Sequence, residues 1–241
     1  MYISRYLSVF ILIITSTSVC ARDNRLSAFN ATYKLFTHGI EAGVTNLSII
    51  KSANKDEYIY QSEVKTTGLA ALFKKVHILE KSTWRLDGLQ LLPLNYSYQK
   101  RGSKTEDNSM QFDWEKMQVI KTNNGVSKLE PLPENSQILD KLLYQYALMF
   151  DLKNGTMPDK YTVIDYRKIK IYHFQSLGNE NIETPIGRFD TVKLVKTREN
   201  KAKQTFMWCV KALDYLPVKL EEYDDDNRVS VAIIDSVSGF E

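Results

Sequence analysis

The sequence has 241 residues, with 32 Lys and Arg against 29 Asp and Glu and a net charge of +3. That balance lacks the basic surplus that nucleic-acid binding needs, so no nucleic-acid partner is expected. Hydrophobic residues at 43% and charged ones at 25% predict an ordered, soluble domain and exclude a disordered chain.

Residues 1–21 have the order of a cleavable secretory signal. Arg5 is the one charge, Tyr6 to Ile14 is an apolar run, Thr15 to Ser18 are small and polar, and Val19-Cys20-Ala21 precedes the charged Arg22-Asp23. The run is shorter than the roughly 20 residues a membrane helix requires, and no longer one follows. No transmembrane span is therefore expected once the signal is removed. Two other readings are an uncleaved anchor and lipidation of Cys20. Val19 weighs against the second, because the residue before a lipidated Cys is normally Gly, Ala or Ser. The expected mature chain is residues 22–241, one β-rich domain exported to the periplasm. Cys209 is then its sole cysteine, so its stability must come from a core and not from disulfides.

Along that chain, alternation of apolar and polar residues marks strands. Phe29, Ala31, Tyr33 and Leu35 alternate with polar residues, and His38-Gly39 forms a turn. Val44 to Ile50 and the stretch around Tyr58, Tyr60 and Val64 are the next two strands. Gly68 to Phe73 breaks the pattern as a helical turn or flap. Val76 to Leu86 and Leu89 to Lys100 form a hairpin about Asp87-Gly88, with Pro93 causing a bulge or an edge position. Met110, Phe112 and Trp114 alternate again, Lys116 to Thr122 follows, and Asn124-Gly125 is another turn. Ser136 to Lys153 reads as one long amphipathic helix, capped by Ser136 and ended by Asn154-Gly155, with a wide apolar stripe that should pack on a sheet. Strands resume from Tyr161. Thr184-Pro185-Ile186-Gly187 is a tight turn, and Asp224 to Asn227 is the last hairpin turn. The total is 12 or 13 strands in an antiparallel meander. The expected class is mainly β (α+β): a curved antiparallel sheet or half-barrel with one long packed helix.

The motifs offer little catalytic chemistry. There is no Gly-x-Ser-x-Gly elbow. Cys209, between Trp208 and Val210, reads as a buried structural thiol. His38, His77 and His173 are not at ligand spacing, so no metal is expected. The acids Asp224, Asp225 and Asp226 are contiguous, unlike the alternating ligands of a calcium loop. Glu80 and Glu183 read as edge or solvent-facing strand residues. No catalytic residue and no cofactor are assigned.

Glu183-Thr184-Pro185-Ile186-Gly187-Arg188-Phe189, then Trp208, then Leu216-Pro217-Val218-Lys219-Leu220 form the most specific series. Upstream stand Phe29-x-Ala31-x-Tyr33, Gly68, Trp84 and Pro93-x-x-Tyr96. In this order the chain resembles the domain-of-unknown-function family 3108 over residues 27–238. The resemblance implies a Gram-negative envelope location and a β-rich fold, and supplies no activity. By fold-level analogy it is similar to envelope lipoprotein carriers with a helical lid.

The aromatic strands are the best functional lead. Tyr60, Trp84, Tyr96, Phe112 and Trp208 are the candidate lining of a cavity beneath the helix, among a wider set that includes Tyr58, Tyr98, Trp114, Tyr172 and Phe174. An ordinary filled core is the competing reading. The expected function is non-enzymatic binding of a lipid or other amphipathic envelope ligand. The rivals are a module that pairs through a sheet edge with an envelope protein, and a polysaccharide hydrolase built on two facing carboxylates.

Overall fold

The computed structural model describes residues 27–54, 56–134, 137–199, 201–223 and 229–240. The signal-like residues 1–21, the Ser136 cap and the Asp224–Asn227 turn lie outside these residues.

The first eight strands are β1 (Asn30–Thr37), β2 (Ile40–Lys51), β3 (Glu57–Thr66), β4 (His77–Asp87), β5 (Gln90–Arg101), β6 (Glu106–Asp113), β7 (Gln118–Asn123) and β8 (Val126–Pro131). A short helix, α1 (Gly68–Phe73), interrupts the β3–β4 connection. Then come β9 (Ile138–Asp140) and a second helix, α2 (Leu143–Lys153). The rest are β10 (Lys160–Ile164), β11 (Ile169–Thr184), β12 (Gly187–Arg198), β13 (Lys201–Val210), β14 (Leu216–Tyr223) and β15 (Val229–Ser238).

These fifteen strands make one sheet in the order β8-β7-β6-β5-β4-β3-β2-β1-β15-β14-β13-β12-β11-β10-β9. The chain walks outward from β1 to β8, returns through β9 and α2, and walks inward to β15, which pairs with β1. Chain neighbours pair as hairpins because short turns suit antiparallel strands. His38 and Gly39 (φ 51° and 76°) and Asn124 and Gly125 (φ 46° and 87°) both adopt left-handed turns. The β4–β5 turn is shifted by one residue from the sequence expectation. Its loop is Gly88-Leu89, and only Gly88 has positive φ. The register slips between Thr83 and Trp84, opposite Asn95 and Pro93, which places the expected bulge beside the proline.

The sheet departs from the expected curved antiparallel half-barrel in three ways. It is open, since among the described residues the ladder ends at β8 and β9, which do not pair to close it. It is mixed, because β9 pairs parallel with β10, Ile138 opposite Thr162 and Asp140 opposite Ile164. α2 is the cause, since it forms the crossover between those strands and a crossover returns the chain in the same direction. The third departure is helix length. Ile138–Asp140 is strand, so the helix has 11 residues and not the long span from Ser136. Asp140 supplies its cap: Oδ1 accepts hydrogen bonds from the Leu142 and Leu143 N–H groups, each at 2.8 Å.

An 11-residue helix is marginal alone, and packing holds this one. Leu143, Tyr144, Tyr146, Ala147, Leu148, Met149 and Phe150 are all buried. The Tyr146 ring lies 4.7 Å from Trp84 and 6.2 Å from Tyr60, and Trp84 stacks on Tyr58 at 4.8 Å. Tyr144 meets Tyr172 at 5.0 Å and Phe174 at 6.4 Å. Each such pair contributes about 0.5–1.5 kcal/mol beyond area burial. The helix therefore touches β3 and β4 from one half of the strand order and β11 from the other. Among the described residues no helix is long and apolar enough to cross a membrane.

Candidate functional site

Between α2 and the middle strands lies a cavity of about 400 Å³. The helix contributes Tyr144, Gln145, Leu148 and Met149. Inward residues of the strands supply the rest, chiefly Tyr33 and Leu35 of β1, Leu47 of β2, Tyr60 and Val64 of β3, Met207 of β13, Leu220 of β14 and Ala232 of β15. Period-two alternation puts these apolar residues on one face of the sheet. The volume falls within the roughly 300–1,000 Å³ of small-molecule sites. The Tyr33 hydroxyl donates to the Pro217 carbonyl at 2.8 Å, so this buried phenol leaves the wall apolar.

Lys196 of β12 enters this apolar setting. Its Nζ donates to Tyr144 Oη at 2.8 Å and sits over the Tyr144 and Tyr172 rings, 4.9 and 4.8 Å from their centroids. Burial pushes the pKa of its ammonium down. Lys196, Tyr144, Gln145, Thr205 and Glu222 also line a second, polar cavity of about 360 Å³. Its other charged residues are Glu80, Lys141, Lys170, Arg198 and Lys203. A third cavity of about 410 Å³ adjoins the second, sharing Lys141, Lys170 and Arg198 and adding Tyr96, Tyr98 and Asp165. The three together form an amphipathic series, apolar at one end and cationic at the other.

Most charges in the polar cavities are matched. Lys141 pairs with Glu80 at 2.8 Å and Lys203 with Glu222 at 2.6 Å. Lys170 pairs with Asp165, which also accepts the Arg167 and Lys168 N–H groups at 2.8 and 3.0 Å. Burial works against the Asp165 carboxylate, but Lys170 and the two N–H groups outweigh it and hold its pKa below the usual range. Glu80 therefore faces a cavity and a lysine, not the solvent or edge position read from the sequence. Glu183 is exposed, its side chain 81% accessible.

The five sequence-predicted lining residues separate. Tyr60 lines the apolar cavity and Tyr96 the third, polar one. Trp84 is 1% exposed and packed between Tyr58 and Tyr146. Phe112, half-buried, stacks on Trp114 at 6.0 Å. Trp208 projects from the face opposite Met207, between the ammonium groups of Lys193 and Lys219 at 4.8 and 4.6 Å. Lys196 and Arg198 were missed. The signal available was two basic residues at i and i+2, on the same strand face as the buried Leu194, in Leu194-Val195-Lys196-Thr197-Arg198.

Cys209 is buried, and burial pushes its thiol up to about 12. His77 lies 2.8 Å from Glu63, and His173 lies 3.5 Å from Glu199, both near the surface. Among the described residues no group of three or more His, Cys, Asp or Glu converges on a metal position.

The sequence matches the family described as "Protein of unknown function (DUF3108)" over residues 28–232. The chain belongs to that family. No curated protein matches it. Among solved structures, a beta-barrel-like protein of the DUF1849 family from Brucella abortus is similar in fold, with a TM-score of 0.57 at 9% identity over 89% of this chain and 98% of that one. A candidate lipoprotein from Parabacteroides distasonis aligns with a TM-score of 0.35 at 14% identity, over 89% of this DUF3108 chain and 96% of its own. A candidate exported protein with a YmcC-like fold from Bacteroides fragilis aligns with a TM-score of 0.34 at 10% identity, over 89% and 97%.

Proposed function

We propose that this DUF3108 protein is an exported, periplasmic envelope protein that holds one lipid or other amphipathic molecule between α2 and the sheet without transforming it. The observation that carries the reading is the apolar cavity beneath Leu148 and Met149, which shares Lys196 in its lining with a polar one. Each methylene transferred from water into such a space contributes about 0.8 kcal/mol, enough for a chain of several carbons to bind. The export part rests on the signal-like order of residues 1–21.

The test is native mass spectrometry of protein purified from its own envelope, followed by titration of the stripped protein with a fluorescent fatty-acid analogue. A lipid-sized mass on the protein and saturable uptake near one per chain are expected. A bare mass from the envelope together with no saturable uptake would refute the reading. The edge-pairing module would then gain ground, since among the described residues no strand pairs with the outer edge of β8, where Val126 and Leu129 are exposed.

A further inference from the structure

Five cations line the middle, polar cavity: Lys141, Lys170, Lys196, Arg198 and Lys203. Three have carboxylate partners, Glu80, Asp165 and Glu222. Lys196 and Arg198 have none among the described residues. The two stand at i and i+2 of β12, both facing this cavity. Lys196 hydrogen-bonds a neutral phenol and lies over two aromatic faces, and the nearest carboxylate to act on it, Glu222, is already paired with Lys203. A half-buried cation without a counter-charge is costly, and sites that keep one commonly serve an anion that arrives from outside.

The position of this pair matters as much as its charge. Lys196 is shared by the apolar and the polar cavity, so an anion held there has the greasy space on one side. A free inorganic anion would gain nothing from Leu148 or Met207. A neutral lipid would leave the two cations uncompensated. We propose that the ligand is an amphiphile with an anionic head, a carboxylate or a phosphate, and that Lys196 and Arg198 are the residues that select the head while the cavity takes the chain. This rests on the cavity-binding reading above and narrows it to a ligand class. An ammonium and a guanidinium two residues apart suit the several oxygens of such a head, with Arg offering paired donors and Lys a point charge.

The test measures competition with the fluorescent fatty-acid analogue by four probes: dodecanoate, dodecyl phosphate, methyl dodecanoate and inorganic phosphate. Wild-type protein should bind the two anionic amphiphiles at least about tenfold more tightly than the ester, the scale of one charge-assisted hydrogen bond. Inorganic phosphate should not compete. Lys196→Gln with Arg198→Gln should erase the preference of acid and phosphate over ester, with circular dichroism showing that the variant is folded. Lys193→Gln, on the opposite face of β12 beside Trp208 and paired with Glu180, should keep the preference. Equal binding of acid and ester, or a preference that survives in the double variant, overturns the headgroup assignment and leaves the cavity reading standing. Competition by inorganic phosphate as strong as by dodecyl phosphate also overturns it, in favour of a free-anion site. Failure of all three chain-bearing probes removes both.

Discussion

Ser82 on β4 donates its hydroxyl proton to Oδ2 of Asp140, 58 residues further along the chain. Both residues are fully buried. Oδ1 of the same carboxylate caps α2 through the Leu142 and Leu143 N–H groups, so one side chain ties the helix start to β4 and ends β9. Burial raises the Asp140 pKa to about 6 from 3.8, against the lowering effect of these three hydrogen bonds. The folded form therefore holds its proton more tightly than the unfolded chain. The sign follows: the stabilisation is present in full below about pH 4 and is lost as pH rises through about 6. A shift of this size corresponds to about 3 kcal/mol. Asp140→Asn keeps an acceptor for the cap and cannot ionise. Urea unfolding of both proteins from pH 3 to 7 should show wild type losing about 3 kcal/mol relative to Asp140→Asn, the other carboxylates cancelling in the difference. Parallel curves would place the Asp140 pKa at its ordinary value.

Gly43 of β2 is a glycine for a steric reason and not a turn. A Cβ there would sit 2.4 Å from the Lys65 carbonyl oxygen of β3, closer than side-chain carbons approach backbone. The two strands would have to part at a point that also borders the apolar cavity. Gly43→Ala should cost about 1–3 kcal/mol despite adding one methyl group. Thermal unfolding beside Gly125→Ala provides a control, since a Cβ at Gly125 meets nothing within 4 Å, although its φ of 87° also disfavours Ala. A smaller loss at Gly43 than at Gly125 would mean that β2 and β3 separate easily.

Much of the sheet was legible because alternation reports burial directly. Tyr33, Tyr60, Trp84 and Met110 are all buried where the period of two places them inward. The β9–α2 boundary was not legible. Ile138, Leu139, Leu142 and Leu143 are all buried, so a short inward strand and a helix read as one apolar run, and periodicity alone cannot divide it. Parallel pairing of β9 was hidden for the same reason. Of the residues read as cavity lining, Tyr60 borders the space beneath α2 and Trp84 does not, because the two carry the same strand signal and only packing separates a wall residue from a core one. The cation pair is harder still, because strand parity shows which way Lys196 and Arg198 point but not whether a carboxylate meets them.

Cys209 faces the core from β13, next to Val210, and is 0% exposed. Its thiol, pushed up to about 12 by burial, has almost no thiolate at neutral pH. Both reagent access and nucleophilicity are therefore denied in the folded state. Labelling with a neutral aromatic disulfide should be orders of magnitude slower in native protein than in urea-unfolded protein, and its rate should track global unfolding as urea rises. Rapid native labelling would indicate a local opening of β13.

Adjacent residues of β13 separate a cavity wall from the opposite face of the sheet. Met207 points into the apolar cavity, while Trp208 points away and is flanked by Lys193 and Lys219. Met207→Trp adds an aromatic ring to the space a chain would occupy. Overpacking strain of about 1–3 kcal/mol is opposed by the apolar area the ring buries, so the variant should still fold. Uptake of the fluorescent fatty-acid analogue should fall at least about tenfold, because a space filled by protein cannot also hold the chain. Trp208→Phe weakens the contacts with the two lysines but leaves the cavity untouched, and its uptake should stay within about twofold of wild type. Circular dichroism establishes that each variant is folded before uptake is compared. Folded Met207→Trp that still binds, or folded Trp208→Phe that does not, would move the site off this face of the sheet and end the case for a chain beneath α2.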